Sequence, residues 1–213
     1  MAKKVVILGA NDGARIVAYN LSYDTGIEVV GFVDPDASRW GTQLRGKPIL
    51  GSDDVLPDLF AQGVRHAVVA AGNPKPRARL RRIALDAGFE LTNAIHPTAF
   101  VSPDVRLGRG VVILAGCVLS DNPSIDDNVW IGLSAVITHD THVGCDTLIG
   151  GRSAVGAEVE IGQRVVIGWG AVVGPRRIIG DDASVGFGSN VVYDIPERAV
   201  AVGNPAQVIK YRD

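Results

Sequence analysis

The C-terminal half of the chain places an aliphatic residue at every sixth position. From Val101 the series runs through Leu107, Ile113, Leu119 and Ile125 to Val191 without insertion or slip, sixteen positions in all. Glycine follows at ten of them, among them Gly108, Gly132, Gly144 and Gly150. Four residues after each aliphatic position lie mostly small or β-branched side chains, such as Ala135, Ser153, Val159 and Val165. A helix repeats every 3.6 residues and a simple strand every 2, and neither sustains a strict six over so long a run. A period of six predicts a parallel β-helix in which each hexad is a short strand and a turn. The aliphatic residue points inward, and stacked coils about 4.8 Å apart share one continuous core. The repeat glycines are expected to take up turn geometry that a Cβ would resist. Past Val191, Asp194-Ile195-Pro196 and Gly203-Asn204-Pro205-Ala206 break the pattern. A short C-terminal helix is expected there, covering the open end of the core.

The first 95 residues have a different grammar. Lys4 to Gly9, Glu28 to Asp34 and His66 to Gly72 are short apolar runs that read as strands. Between them lie helix-like stretches: Ala14 to Tyr23, Asp53 to Gln62 with Ser52 as N-cap, and Pro76 to Ala87 closed by Gly88. Strand and helix in alternation predict a small parallel sheet with helices on its faces. The fold class expected is therefore mainly β with an α/β N-terminal domain: a Rossmann-like βαβ domain over residues 1–95, then a β-helix with a C-terminal cap over 96–213.

Composition narrows the function. Apolar residues make up 46% of the chain, charged residues 21%, and the net charge is -2. That balance gives no basic field for nucleic acid or an anionic membrane. The apolar run after Met1 is too short for a signal peptide core or a membrane span, so a soluble, cytoplasmic protein without membrane insertion is expected. Cys117 and Cys145 cannot build a disulfide framework and read as reduced, buried thiols.

The residues that could carry chemistry are few. His139 stands two places after Ile137, which puts it on a turn, facing outward. A histidine titrating near 6.5 can take a proton from an attacking amine at neutral pH, and Asp140 can hold the imidazole if a turn brings the neighbours together. A solvated turn histidine is the bland alternative. His142 raises a metal site, but three ligands are needed and the other histidines, His66 and His96, lie outside the repeats, so no metal is expected. The loop Gly9-Ala10-Asn11 follows a strand and opens a helix, the setting in which backbone N–H groups bind phosphate. Asp34, at the end of the second strand, could accept from a ribose or a base.

The opening VVILGA, the strand end GFVD, the junction AIHPTA, the hexads and the tail GNPA together resemble the bacterial sugar O-acyltransferases of the sialic-acid O-acetyltransferase type. That family includes N-acetyltransferases of nucleotide-linked 4-amino sugars, the bacillosamine and perosamine enzymes. The resemblance implies a left-handed β-helix and a homotrimer. It implies acetyl-CoA lying between two β-helices, a sugar nucleotide held by the N-terminal domain, and transfer to an amine or hydroxyl. It gives His139 the role of base with Asp140 beside it, and it puts the co-substrate near Ala157, Trp169 and Phe187. The nucleotide falls to Gly9, Ala10, Asn11 and Asp34. The chain departs from the family pattern at Asn11-Asp12, at Gly132 in place of an asparagine on the preceding coil, at Leu148 in place of a second histidine, and at Arg152-Ser153. A sugar-nucleotide-binding scaffold that has lost catalysis, an O-acetyltransferase of a free sialic-acid-like sugar, and a β-helix metalloenzyme are the competing readings.

Overall fold

The computed structural model of the chain describes residues 2–212. It divides into two compact units, Met1–Ile95 and His96–Asp213.

The first unit is a twisted sheet with three α-helices. Its central strand β1 (Lys3–Leu8) runs parallel to β2 (Ile27–Val33) on one side and to β5 (His66–Val69) on the other. Outside β2 lies β4 (Lys47–Gly51), also parallel; outside β5 lies β6 (Glu90–Leu91). Val5 to Leu8 are fully buried, as an all-apolar strand covered on both faces must be. Helix α1 (Asp12–Leu21) is capped by Asn11, whose side chain accepts from the Ala14 N–H. Ser52 caps one 3-10 turn, which passes into α2 (Leu56–Ala61) at Pro57. Helix α3 (Pro74–Asp86) ends where Gly88 turns to φ +85, a conformation that glycine adopts without a Cβ penalty. Strand β3 (Gln43–Leu44) pairs antiparallel with β4. The sequence reading lacks this hairpin because its arms are short and its turn is Arg45-Gly46, with φ 50 and 74, rather than an Asn-Gly pair.

The second unit is a left-handed parallel β-helix. Each hexad contributes a two-residue strand ending on the aliphatic position, and each strand pairs with the one 18 residues on: Val118 and Leu119 face Val136 and Ile137, which face Ala154 and Val155. From Ile113 to Val191 every aliphatic position is buried, while Val101 and Leu107 in the first coil are only half covered.

Two expectations need correction. The repeat glycines do not supply turn geometry. The left-handed turn residues come three places after the aliphatic position, and although Gly110, Gly116, Gly170 and Gly188 are among them, most are not glycine: Asn122, Asp140, Asp146 and Arg152 have φ 58, 53, 63 and 57. The repeat glycines sit where one coil presses on the next. A Cβ on Gly132 would lie 2.6 Å from the Gly151 nitrogen, and one on Gly150 would lie 2.6 Å from the Trp169 nitrogen. Nor does a helix close the core. Residues Ala199–Gly203 and Ala206–Tyr211 form an antiparallel hairpin. Ala199 and Ala201 are buried while Val200 and Val202 face outward, a period of two that only a strand satisfies.

Candidate active site

The turn that carries His139 is fixed from both sides. The Asp140 N–H bonds to the Asp121 carbonyl of the previous coil, and the His139 carbonyl accepts from the Glu158 N–H of the next. Thr138 and Thr141 flank it. The Thr138 hydroxyl donates to the Val155 carbonyl at 3.1 Å, and the Thr141 hydroxyl donates to the Gly156 carbonyl at 2.8 Å. A turn held in this way presents its side chains on a rigid corner, where functional groups do best.

His139 Nδ1 lies 3.1 Å from Asp140 Oδ2, and both side chains are about half exposed (51% and 52%). The left-handed backbone at Asp140 is what brings two sequence neighbours face to face. Asp140 accepts at its other oxygen from Asn122 Nδ2, at 2.7 Å. Asn122 Oδ1 in turn accepts from Arg106 Nη1, at 2.9 Å. The Asn122 hydrogen bond, followed by the His139 contact, holds the Asp140 carboxyl below its ordinary value of 3.8. With Oδ2 accepting from Nδ1–H, the imidazole keeps a lone pair at Nε2, as a proton acceptor requires.

Asn122 and Arg106 are missing from the sequence reading. They stand far from His139 along the chain, and only the 18-residue coil step brings Asn122 beside Asp140. The resemblance seeks its preceding-coil asparagine at Gly132, where no side chain fits. The asparagine that does reach the pair is Asn122.

Ala157 lies on the same corner as His139, one coil later; the next coil continues with Arg176, whose N–H bonds to the Ala157 carbonyl. Trp169 and Phe187 occupy a different corner, one above the other, with the Gly188 N–H on the Trp169 carbonyl. They are 52% and 80% exposed. The Trp169 ring lies over Gly151, where a Cβ would come within 2.7 Å of it. A single chain therefore brings Ala157 to the His139 corner but not Trp169 or Phe187. Leu148 is half-buried on a strand between Trp130 and Val166. Arg152 is an exposed turn residue, and Ser153 is buried with its hydroxyl on the Gly150 carbonyl.

His142 serves a separate cluster. Its Nε2 lies 3.2 Å from Asp126 Oδ2 and its Nδ1 lies 3.2 Å from Glu160 Oε2. It does not converge with His139, and among the described residues no group of three or more metal-binding side chains forms. Cys117 is buried, its thiol pushed up by desolvation, but Cys145 is only half covered, which corrects the expectation of two buried thiols.

In the first unit Gly9 (φ +105) and Ala10 are buried and Asn11 is exposed as the helix cap. Asp34 is committed to this loop. Oδ2 accepts from the Ala10 N–H at 2.9 Å, Oδ1 accepts from the Asp36 N–H at 3.0 Å, and Arg39 pairs with it at 3.7 Å. Arg39 also donates to the Ala10 carbonyl. Asp34 thus braces the strand-end loops against each other. Among the described residues no helix is long and apolar enough to cross a membrane.

A parallel sheet followed by a β-helix of hexads is the architecture of the hexapeptide-repeat class. Residues 4–83 match the family described as the PglD N-terminal domain. Over 97% of both chains, the protein is 40% identical to PerB from Caulobacter crescentus, solved with CoA and GDP-perosamine, with a TM-score of 0.92. The acetyltransferase domain of PglB from Neisseria gonorrhoeae, solved with acetyl coenzyme A, is 27% identical with a TM-score of 0.91, covering 98% of this chain and 100% of that one. WeeI from Acinetobacter baumannii, 20% identical over 96% of this chain and 99% of that one, with a TM-score of 0.59, shares the fold. The chain belongs to the family of sugar acetyltransferases of the bacillosamine and perosamine type.

Proposed function

We propose that the protein transfers the acetyl group of acetyl-CoA to the amine of a nucleotide-linked 4-amino sugar, with His139 as general base and Asp140 as its partner. The observation that carries this reading is the His139–Asp140 pair on a rigid corner, in a chain matching PerB from end to end. A sugar ammonium must lose its proton before nitrogen can attack. His139 Nε2, the open side of a ring held at Nδ1, takes it. The amine then forms the C–N bond as the thioester C–S bond breaks. The acylated nitrogen then sheds its second proton to solvent, and His139 returns the first to the leaving thiolate, so the products are an amide, free CoA thiol and one released proton.

Acetyl-CoA enters as substrate. The residues present suit it: Ala157 leaves room on the His139 corner, and Trp169 offers a broad apolar face on another. In a homotrimer the Trp169 corner of one subunit lines the same groove as the His139 corner of its neighbour, which completes a site that one chain leaves divided. The loop Gly9-Ala10-Asn11, at the N-terminus of α1, is the candidate seat for the nucleotide phosphates. Ala10 there already gives its N–H to Asp34, so Asp34 acts by shaping the loop.

Replacing His139 with alanine tests the role. The variant is expected to keep its fold and lose at least ~10²-fold in kcat, the usual worth of a positioned base. Full activity in the variant would leave the amine to lose its proton to solvent and would remove His139 from the mechanism.

A further inference from the structure

We propose that Asn122 is a positioning residue for the general base, with Arg106 setting the direction of its amide. The proposal rests on the reading of His139 as base. Four side chains form one line across three coils: Arg106 Nη1 to Asn122 Oδ1 at 2.9 Å, Asn122 Nδ2 to Asp140 Oδ1 at 2.7 Å, and Asp140 Oδ2 to His139 Nδ1 at 3.1 Å. An amide can face either way, and the guanidinium decides: it only donates, so it takes the oxygen and leaves the NH2 for the carboxylate. The carboxylate, anchored at one oxygen, can present the other only toward the imidazole. The imidazole, accepted at Nδ1, is held as the tautomer whose Nε2 carries the lone pair. The logic of an acid holding a histidine base is thus carried one residue further back.

The asparagine–aspartate step itself belongs to the scaffold. Asn128 Nδ2 reaches Asp146 Oδ1 at 2.7 Å with the same 18-residue spacing. The residue before Asp146, however, is Cys145, and the residue before Asp140 is His139. Of these two asparagine–aspartate pairs, the one at Asn122 is the one whose anchored carboxylate holds a ring that can accept a proton. A structural rung would contribute to stability alone, whereas a positioning rung must also appear in turnover.

The experiment compares Asn122→Ala, Asn122→Asp, Asp140→Ala, the Asn122→Ala/Asp140→Ala pair and His139→Ala in the full chain. Thiol release from acetyl-CoA is followed with GDP-perosamine as probe acceptor, and the imidazole nitrogens are followed by NMR. Asn122→Ala is expected to lower kcat about tenfold, the scale of a misaligned catalytic group, with both KM values held within about twofold. Asn122→Asp keeps the shape but loses the donor and should fall at least as far. In the double variant the asparagine change should cost nothing beyond Asp140→Ala, since it acts only through Asp140. The His139 ring should pass from the single Nδ1–H tautomer to a mixture in Asn122→Ala. Wild-type kcat in a folded Asn122→Ala, or losses that multiply in the double variant, would overturn the proposal while an inactive His139→Ala leaves the base in place. An active His139→Ala would remove the base, and the positioning role with it.

Discussion

Asp140 adopts a backbone conformation that few side chains accept, φ 53, and in doing so turns its carboxylate onto the residue before it. Asn and Asp pay least for this region because their short side chains bond locally. The pair was legible because His139 and Asp140 adjoin in a hexad whose phase the aliphatic series sets. Asn122 and Arg106 were not, because their link to Asp140 is a hydrogen bond between coils. The usable signal is the 18-residue step, which also pairs Asn128 with Asp146 and Arg164 with Asp182. Asp140 carries a pH signature. Its folded pKa lies below its ordinary 3.8, so its bonds contribute stability above that value and lose it as pH falls through the lowered one. Removing the Asn122 donor should move the Asp140 titration midpoint upward, toward 3.8, in carboxyl NMR. A midpoint that stays in place would assign the depression to His139 or to more distant charges.

At the scale of the element, the sixteen aliphatic positions were readable because the period of six matches one strand and one turn. The reason for the glycines was not, since it lies in the distance between coils. Gly150→Ala should cost about 2–4 kcal/mol, because its Cβ would meet the Trp169 backbone at 2.6 Å and backbone cannot step aside. Gly170, with φ +68 and nothing near its Cβ position, should cost only about 1 kcal/mol on the same change. Urea midpoints of the two variants decide the matter, and the reverse order would remove crowding between coils as the reason for the repeat glycines. The C-terminal hairpin shows how a few residues mislead. Proline and glycine at 203–205 suggest a break, yet the alternation of buried Ala199 and Ala201 with outward Val200 and Val202 already marks a strand.

For the whole molecule, the resemblance ran nearly the full chain, and the match to PerB covers 97% of it. The proposed site was the part least open to reading, because the residues assigned to it sit on different corners. Ala157 shares the His139 corner; Trp169 and Phe187 do not. The homotrimer proposed above would bring them together, and on that proposal sedimentation equilibrium should give three times the 22.4 kDa chain mass. A monomer with full activity would require a groove built from one chain. The central claim is acetyl transfer to the amine of a nucleotide-linked sugar. Its most direct test is thiol release from acetyl-CoA across a panel of nucleotide-linked 4-amino sugars, with free sialic acid as the hydroxyl acceptor. The account predicts release with at least one amino sugar, one thiol for each amide formed, and abolished in His139→Ala. CoA binding without release for any amino sugar, or release with sialic acid alone, would contradict it.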